Sequence, residues 1–231
     1  MIKLTFTPRQ IENPASAFNY LARRVTTSTK QNEKIDLQSF YSMLANIGDS
    51  FVKKSQKEVM NKNSKRLAEQ LVSLGNETLA GIIYSFLIKL NIKNAKIVEQ
   101  LAYNALAIAK RFNDPVHIMA RCENLNKILL HKNPKDKQRL KILFEEKRAL
   151  TNICKNYNNM EPRYKTISRK LKPLNVYENM LCNTKIQIAK FLQDSNKTQC
   201  LLELNEAMKI AVKLNKSGKI KEIERIKNSF K

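Results

Sequence analysis

The feature of this sequence that most restricts its fold is the recurrence of large apolar residues every three or four positions. Between residues 37 and 51 this spacing places five apolar side chains on one helix face: Leu37, Phe40, Leu44, Ile47 and Phe51. The same period returns along most of the 231 residues, and no convincing strand pattern interrupts it. The sequence therefore predicts an all-α protein of eight to nine helices, whose short connections make sequential helices antiparallel.

Glycine is rare in this chain, with four residues in 231 where average usage would give about 16. β-Sandwiches, propellers and nucleotide-binding α/β folds use glycine at turns and phosphate loops, so these classes are disfavoured. Helix ends are marked instead by other signals. Asp36 and Asn76 are predicted N-caps, Gly75 ends a predicted helix, and Pro115 lies in a predicted first turn.

Proline and polar residues predict an N-terminal segment that differs from the rest of the chain. Residues 1–34 contain Pro8 and Pro14, and residues 26–34 are almost wholly polar. We expect a flexible or partner-ordered arm over 1–34, with at most a short helix at residues 15–24. Residues 35–231 are expected to form the helical domain. A candidate sub-boundary lies at 159–173, where Pro162 and Pro173 bracket a basic connector over residues 161–172.

Two nine-residue segments of the chain are similar in character. Residues 105–113 read ALAIAKRFN and residues 207–215 read AMKIAVKLN. Both follow the order alanine, long apolar, any residue, isoleucine, alanine, any residue, basic, large apolar, asparagine. Their offset of 102 residues is three times 34, and a fixed period of this length is the mark of a repeat architecture.

These features resemble tetratricopeptide (TPR) repeats. Residues 102–129 resemble the second helix of one repeat, a turn, and the first helix of the next. Ala102, Leu106 and Ala109 stand at that family's small-large-small packing positions, and Gly81 and Tyr84 resemble its small-residue and tyrosine pair. The resemblance covers about a third of the chain. It implies antiparallel helix pairs stacked as an α-solenoid, with an irregular helical bundle as the alternative. Ala102, Ala105, Ala109, Ala207 and Ala211 are then expected at helix contacts, because small side chains let helices approach closely.

Positive charge is the strongest functional signal. The chain carries 43 Lys and Arg against 20 Asp and Glu, a net charge of +23, with a pI near 9.9. Such a balance is typical of proteins that bind nucleic acid, acidic proteins or anionic surfaces. The alternative is a solvated basic surface without a partner, because the bias toward Lys, Asn and Ile is also typical of AT-rich coding sequence.

The positive charge is concentrated between residues 127 and 173. This stretch holds 14 basic and four acidic residues, and residues 162–170 place a tyrosine among cations. Such a loop could contact phosphates and stack a base on the ring. The candidate binding residues are Lys135, Lys137, Arg139, Lys141, Lys147, Arg148, Arg163, Tyr164, Lys165, Arg169, Lys170 and Lys172.

No catalytic residues, metal ligands or cofactor-binding motif are predicted, and a small-molecule ligand is not indicated. The four cysteines form no CxxC pair and are expected to be free thiols in helices of a cytoplasmic protein. No run of 18 apolar residues occurs, so no transmembrane segment is expected. The acidic pairs Glu145–Glu146 and Glu203–Glu206 are expected on solvated helix faces, paired with lysines one turn away.

The sequence thus favours a non-enzymatic binding or adaptor protein. It would use a basic helical-repeat surface to bind a protein or acidic peptide partner. The alternative is a helical RNA- or DNA-binding protein that uses the basic segment 127–172.

Overall fold

The computed structural model describes residues 2, 4, 13–53, 56–91, 94–166 and 171–230, with the backbone only for 161–166. These residues form ten helices: α1 (Pro14–Lys30), α2 (Leu37–Lys53), α3 (Lys57–Ser73), α4 (Glu77–Leu90), α5 (Ala95–Arg111), α6 (Pro115–Lys132), α7 (Lys137–Thr166), α8 (Leu174–Leu192), α9 (Lys197–Lys213) and α10 (Ser217–Asn228). The predicted all-α class is confirmed, and the described part of the chain has more helices than the eight to nine expected. None of these ten helices combines the length and apolar composition that crossing a bilayer requires.

Short polar side chains cap the starts of several helices, as the sequence predicts. The Asn76 side chain accepts a hydrogen bond from the Leu79 amide, which starts α4. Asp36 does the same for α2 by accepting from the Ser39 amide at 3.1 Å. Each such bond satisfies a backbone amide that has no partner within its own helix.

Asparagine and glycine in the left-handed backbone region follow several helices. Asn32, Asn113 and Asn215 have φ between 50° and 55°, and Gly75 has φ of 75°. This conformation turns the chain sharply out of a helix, and it favours glycine and asparagine over other residues. It allows the chain to start a new antiparallel helix within a few residues.

The first compact unit spans Met1–Phe112. The buried residues of its core come from α1 to α4, from Leu4, and from Leu101 and Ala105 of α5. The expectation of a flexible arm is wrong for residues 14–30, because Phe18, Leu21 and Val25 of α1 are buried in this core. The polar run at 26–34 was expected to be irregular, but residues 26–30 complete α1, whose apolar face is covered by α2 and α3.

The second compact unit spans Asn113–Lys231. In it α7 packs against both α6 and α8, α8 packs against α9, and α9 packs against α10. The division after residue 112 differs from the expected sub-boundary at 159–173. Helix α7 also continues to Thr166, so the first six residues of the expected connector are helical even though Pro162 lacks the amide that a helix interior uses.

The alanines singled out in the sequence lie at packed positions. Ala102, Ala105 and Ala109 of α5 are 2% exposed, and Ala207 and Ala211 of α9 are fully buried. Ala105 belongs to the core of the first unit, and the two α9 residues belong to a core cluster of the second. The expectation that these small side chains mark close packing is confirmed.

Candidate binding surface

Three of the predicted binding residues, Lys137, Lys141 and Arg148, lie along one face of α7. They share this face with Lys155, which belongs to the basic segment 127–173 but is not among the predicted binding residues. Lys137, Lys141, Arg148 and Lys155 are all exposed. At 3.6 residues per turn, their spacing keeps them within about 40° around the helix axis and spreads them over about 27 Å. We call these four residues the cationic stripe.

The stripe faces solvent because the opposite side of α7 is buried. Leu143, Leu150 and Ile153 are fully buried there and belong to core clusters of the second unit. The helix starts after Pro134, where the Asp136 carboxylate accepts a hydrogen bond from the Gln138 amide at 2.8 Å. Because the apolar face must be buried, the cations on the opposite face are left in solvent.

Few carboxylates lie close enough to offset the positive charge of the stripe. Among the described residues, none forms an ion pair with Lys137, Lys141 or Lys155. Arg148 has one carboxylate nearby, since its Nη1 lies 3.6 Å from Glu145 Oε1. The Arg148 side chain is 83% exposed, so this contact is weak and leaves the guanidinium available to a partner.

A shallow concavity of about 590 Å³ adjoins the C-terminal half of the stripe. Phe144 lies there on the same side of α7 as the stripe, and the Lys147 ammonium is 5.0 Å from the centre of its ring. The Asn156 side chain donates a hydrogen bond to Asn152 Oδ1 at 2.7 Å. The concavity therefore offers an aromatic ring and side-chain amides beside the cations.

Sequence reasoning missed these neighbours of the cations. Phe144, Asn152 and Asn156 are separated from Arg148 by multiples of four residues. Positions four apart lie on neighbouring turns of one helix face. Projecting the sequence onto a helix would therefore have placed them together.

Lys135 and Lys172 are exposed but lie apart from the stripe. Lys135 Nζ is 3.3 Å from Asp194 Oδ2, and both side chains are mostly in solvent. The Lys172 backbone is fixed by two tyrosines, since its carbonyl accepts from Tyr157 Oη and its amide donates to Tyr177 Oη. Tyr157 follows Lys155 by two residues, which places the two side chains on opposite sides of α7.

Arg139 differs from the sequence expectation because it is buried. Its guanidinium donates to Asn126 Oδ1 at 2.9 Å, to the Pro134 carbonyl at 2.8 Å and to Gln187 Oε1 at 3.0 Å. These bonds join α6, the turn before α7, and α8. Arg139 therefore holds the second unit together and is not available to a partner.

Lys147 is also drawn away from the surface, toward a buried carboxylate. Its Nζ lies 2.5 Å from Glu203 Oε1, and Glu203 is 1% exposed. Lys185 of α8 contacts the other Glu203 oxygen at 3.4 Å and forms a second ion pair with Glu206. Hydrogen bonding to Lys185 holds the pKa of Glu206 below its usual range. This network links α7, α8 and α9.

Glu203 and Glu146 correct the expectation that these carboxylates lie on solvated faces. Glu146 is 4% exposed, and its Oε1 accepts a hydrogen bond from Thr184 Oγ1 at 3.2 Å. Its Oε2 has no hydrogen-bond partner among the described residues. Burial disfavours the charged form of the carboxylate and raises the pKa of Glu146 to about 7.

The remaining predicted residues fall where the structure gives no side chains. Those of Arg163, Tyr164 and Lys165 are not described, and Arg169 and Lys170 lie outside the described residues altogether. The predicted contact of Tyr164 with a base therefore stays a prediction. The free thiols expected of the four cysteines are confirmed, and Cys122, Cys182 and Cys200 are buried. In the described part of the chain, no group of three or more His, Cys, Asp or Glu could hold a metal ion.

Comparison with known proteins assigns no family. No family model matches the chain, and no curated protein matches it. A solved structure titled "Crystal structure of BtubC (BKLC) from P. vanneervenii" aligns over 97% of this chain and 93% of that chain, with 12% sequence identity. The TM-score of this alignment is 0.31, which is too low to carry an argument about fold or function.

Proposed function

We propose that this chain is a non-enzymatic binding protein that holds an acidic segment of a protein partner on the cationic stripe of α7. The observation that carries the proposal is the stripe itself, with three exposed lysines that have no carboxylate partner among the described residues. Its helix pairs would be stacked in the manner of tetratricopeptide repeats, an idea supported by the buried alanines of α5 and α9.

The spacing of the stripe suggests the geometry of the partner. Lys141, Arg148 and Lys155 follow each other at intervals of seven residues, which corresponds to about 10.5 Å along a helix. Acidic residues repeat at the same distance when they stand seven apart in a second helix. They repeat at about 9 Å when they stand three apart in a polyproline II segment. Either segment could present one carboxylate to each cation.

The groups beside the stripe favour a bound peptide over a diffuse layer of counterions. Phe144 supplies an apolar surface for a partner side chain, and the amides of Asn152 and Asn156 supply hydrogen-bonding groups for a peptide backbone. Each exposed ion pair contributes only about 0.2–1 kcal/mol. Several pairs formed together, with the ring, would give binding that depends on salt and forms rapidly.

The proposal can be tested with two variants that change the charge equally. The stripe variant replaces three lysines by glutamate: Lys137, Lys141 and Lys155. The control variant makes the same replacement at three exposed lysines elsewhere in the second unit: Lys209, Lys216 and Lys221. Binding of a fluorescein-labelled oligoglutamate peptide, and of an oligothymidylate of about the same length, is measured by anisotropy at several salt concentrations.

We expect the stripe variant to lose at least about tenfold in affinity for the peptide, as three lost pairs of about 0.5 kcal/mol imply. The control variant should lose much less. Equal losses in the two variants would show that the chain binds acidic peptides through its net charge alone. Tighter binding of the oligonucleotide, lost only in the stripe variant, would replace the proposal with nucleic-acid binding.

A further inference from the structure

A cleft of about 500 Å³ lies between α1 and α3 in the first unit. Its volume is within the range of small-ligand sites, about 300–1,000 Å³. The described residues that line it are Phe18, Asn19, Ala22, Arg23, Thr26, Thr27, Asn63, Arg66, Leu67 and Gln70.

Short connections join α1 to α2 and α2 to α3. Such connections favour antiparallel neighbours, and we infer from them that α1 and α3 run in the same direction. Asn76, just after α3, donates a hydrogen bond from its side-chain Nδ2 to Thr29 Oγ1 near the end of α1 at 3.1 Å. Asn76 is itself fixed as the N-cap of α4. This hydrogen bond joins the C-terminal ends of the two helices that line the cleft.

Two arginines, one from each helix, give the cleft its charge. Arg23 of α1 and Arg66 of α3 are exposed, and neither forms an ion pair with a described residue. No acidic residue stands among the described lining residues, and the other polar groups there are amides and hydroxyls. A guanidinium presents a planar fork of donors that matches a phosphate or carboxylate group.

The floor of the cleft is apolar. Phe18 and Leu67 lie at its base and are almost entirely buried, at 2% and 1% exposure. The accessible apolar groups are those of Ala22, which is half-buried, and the methyl groups of Thr26 and Thr27. Apolar surface of this kind suits a ring or short aliphatic body and does little for a bare inorganic ion. The cleft therefore combines a pair of anion-binding groups with a surface for an apolar group.

We propose that the cleft between α1 and α3 binds a ligand that joins a phosphate or carboxylate group to a small apolar body, with Arg23 and Arg66 holding the anion. The proposal is independent of the function proposed for α7, since it uses no residue of the second unit. The anionic group could belong to a free small molecule or to a phosphorylated tyrosine in a peptide.

The test uses the full chain labelled with ¹⁵N, titrated separately with inorganic phosphate, phenyl phosphate and benzoate while amide shifts are followed by NMR. The variants Arg23→Ala and Arg66→Ala each remove one guanidinium. The matched controls Arg24→Ala and Lys65→Ala remove the neighbouring exposed cation on the same helix, outside the lining residues. All four side chains are exposed, so these variants are expected to keep the fold, which thermal unfolding checks.

We expect phenyl phosphate or benzoate to shift amides of the lining residues and to bind more tightly than inorganic phosphate. Each arginine variant should weaken binding about tenfold, the fold-change that matches one lost charged hydrogen bond, while each control should stay within about twofold. The proposal is overturned if no organic anion binds at concentrations up to about 10 mM, or if the controls lose as much as the arginine variants. A phosphotyrosine peptide that binds more tightly than phenyl phosphate would identify a protein-borne ligand, and weaker binding would identify a free one.

Discussion

Replacement of Gly48 by alanine should destabilise the first unit, although alanine is the better helix former. Gly48 lies within α2, and a Cβ atom at this position would stand 2.3 Å from Phe86 Cζ and 2.9 Å from Cε2. The Phe86 ring is 7% exposed and belongs to the core. It can yield only by displacing other packed side chains, since protein interiors leave few voids.

The expected magnitude is the difference between two opposing effects. Glycine to alanine in a helix interior gains about 1 kcal/mol of helix propensity. Forcing a methyl group into a packed core costs about 1–3 kcal/mol. The net expectation for Gly48→Ala is a loss of about 1 kcal/mol of unfolding free energy.

A control and a rescue separate the clash from other effects of the mutation. Gly218, at the start of α10, has no atom within 4 Å of the position a Cβ would take. Gly218→Ala should therefore stabilise the second unit, by about 0.4–1 kcal/mol. In the background Phe86→Leu, which lacks the far end of the ring, Gly48→Ala should be less costly by at least about 1 kcal/mol.

Urea unfolding followed by circular dichroism measures these free energies. The curves are fitted with separate transitions because the chain has two compact units. The reasoning is refuted if Gly48→Ala is as stable as the parent chain. It is also refuted if the coupling between positions 48 and 86 is below about 0.3 kcal/mol, the level at which independent sites add.

Two further predictions concern the buried carboxylates of the second unit. Glu146 has a pKa near 7 in the folded chain against an ordinary value of 4.5. Its contribution to stability is therefore complete below about pH 4.5 and is lost as the pH rises through 7, by up to about 3 kcal/mol. Glu146→Gln should remove this loss in urea unfolding at pH 5 and pH 8, and equal pH dependence in parent and variant would contradict the burial effect. Glu203→Gln leaves Lys147 and Lys185 without their buried carboxylate and should cost about 3 kcal/mol. Glu206→Gln, at a half-exposed partner of Lys185, should cost less than about 1 kcal/mol, and similar costs at both positions would argue against a buried network.

The helices could be predicted because their signals are local. The three- and four-residue apolar spacing and the caps at Asp36 and Asn76 each involve residues less than two turns apart. Helix α1 was underestimated because prolines and polar residues surround it. Its apolar residues Phe18 and Leu21 are buried by α2 and α3, which come later in the chain. Tertiary packing of this kind decides most of the stability of a helix in a protein.

The basic surface could be predicted only in part, because some of its residues are paired with side chains from distant parts of the sequence and others are not. Lys147 and Arg148 are adjacent and equivalent in the sequence, but Lys147 is paired with Glu203, which is 56 residues away. Arg139 likewise depends on Gln187, which is 48 residues away. A local pattern contains no information on such partners. Lys137 and Lys141 are exposed because the helix period alone directs them away from the core, and the same period exposes Lys155, which is not among the predicted binding residues.

Asparagine has a structural role in this chain that nucleotide composition alone does not explain. Asn13, Asn76, Asn94 and Asn196 hold the first amides of four helices through their side-chain oxygens, while Asn32, Asn113 and Asn215 make sharp exits that a glycine-rich chain would make differently. Exchange of an exposed mid-helix asparagine for another polar residue should be nearly silent. Exchange of one of these seven for a branched residue should cost about 1 kcal/mol or more. The asparagines thus fall into positions that tolerate substitution and positions that do not. Along this sequence, asparagine should be least replaceable where helices begin and end.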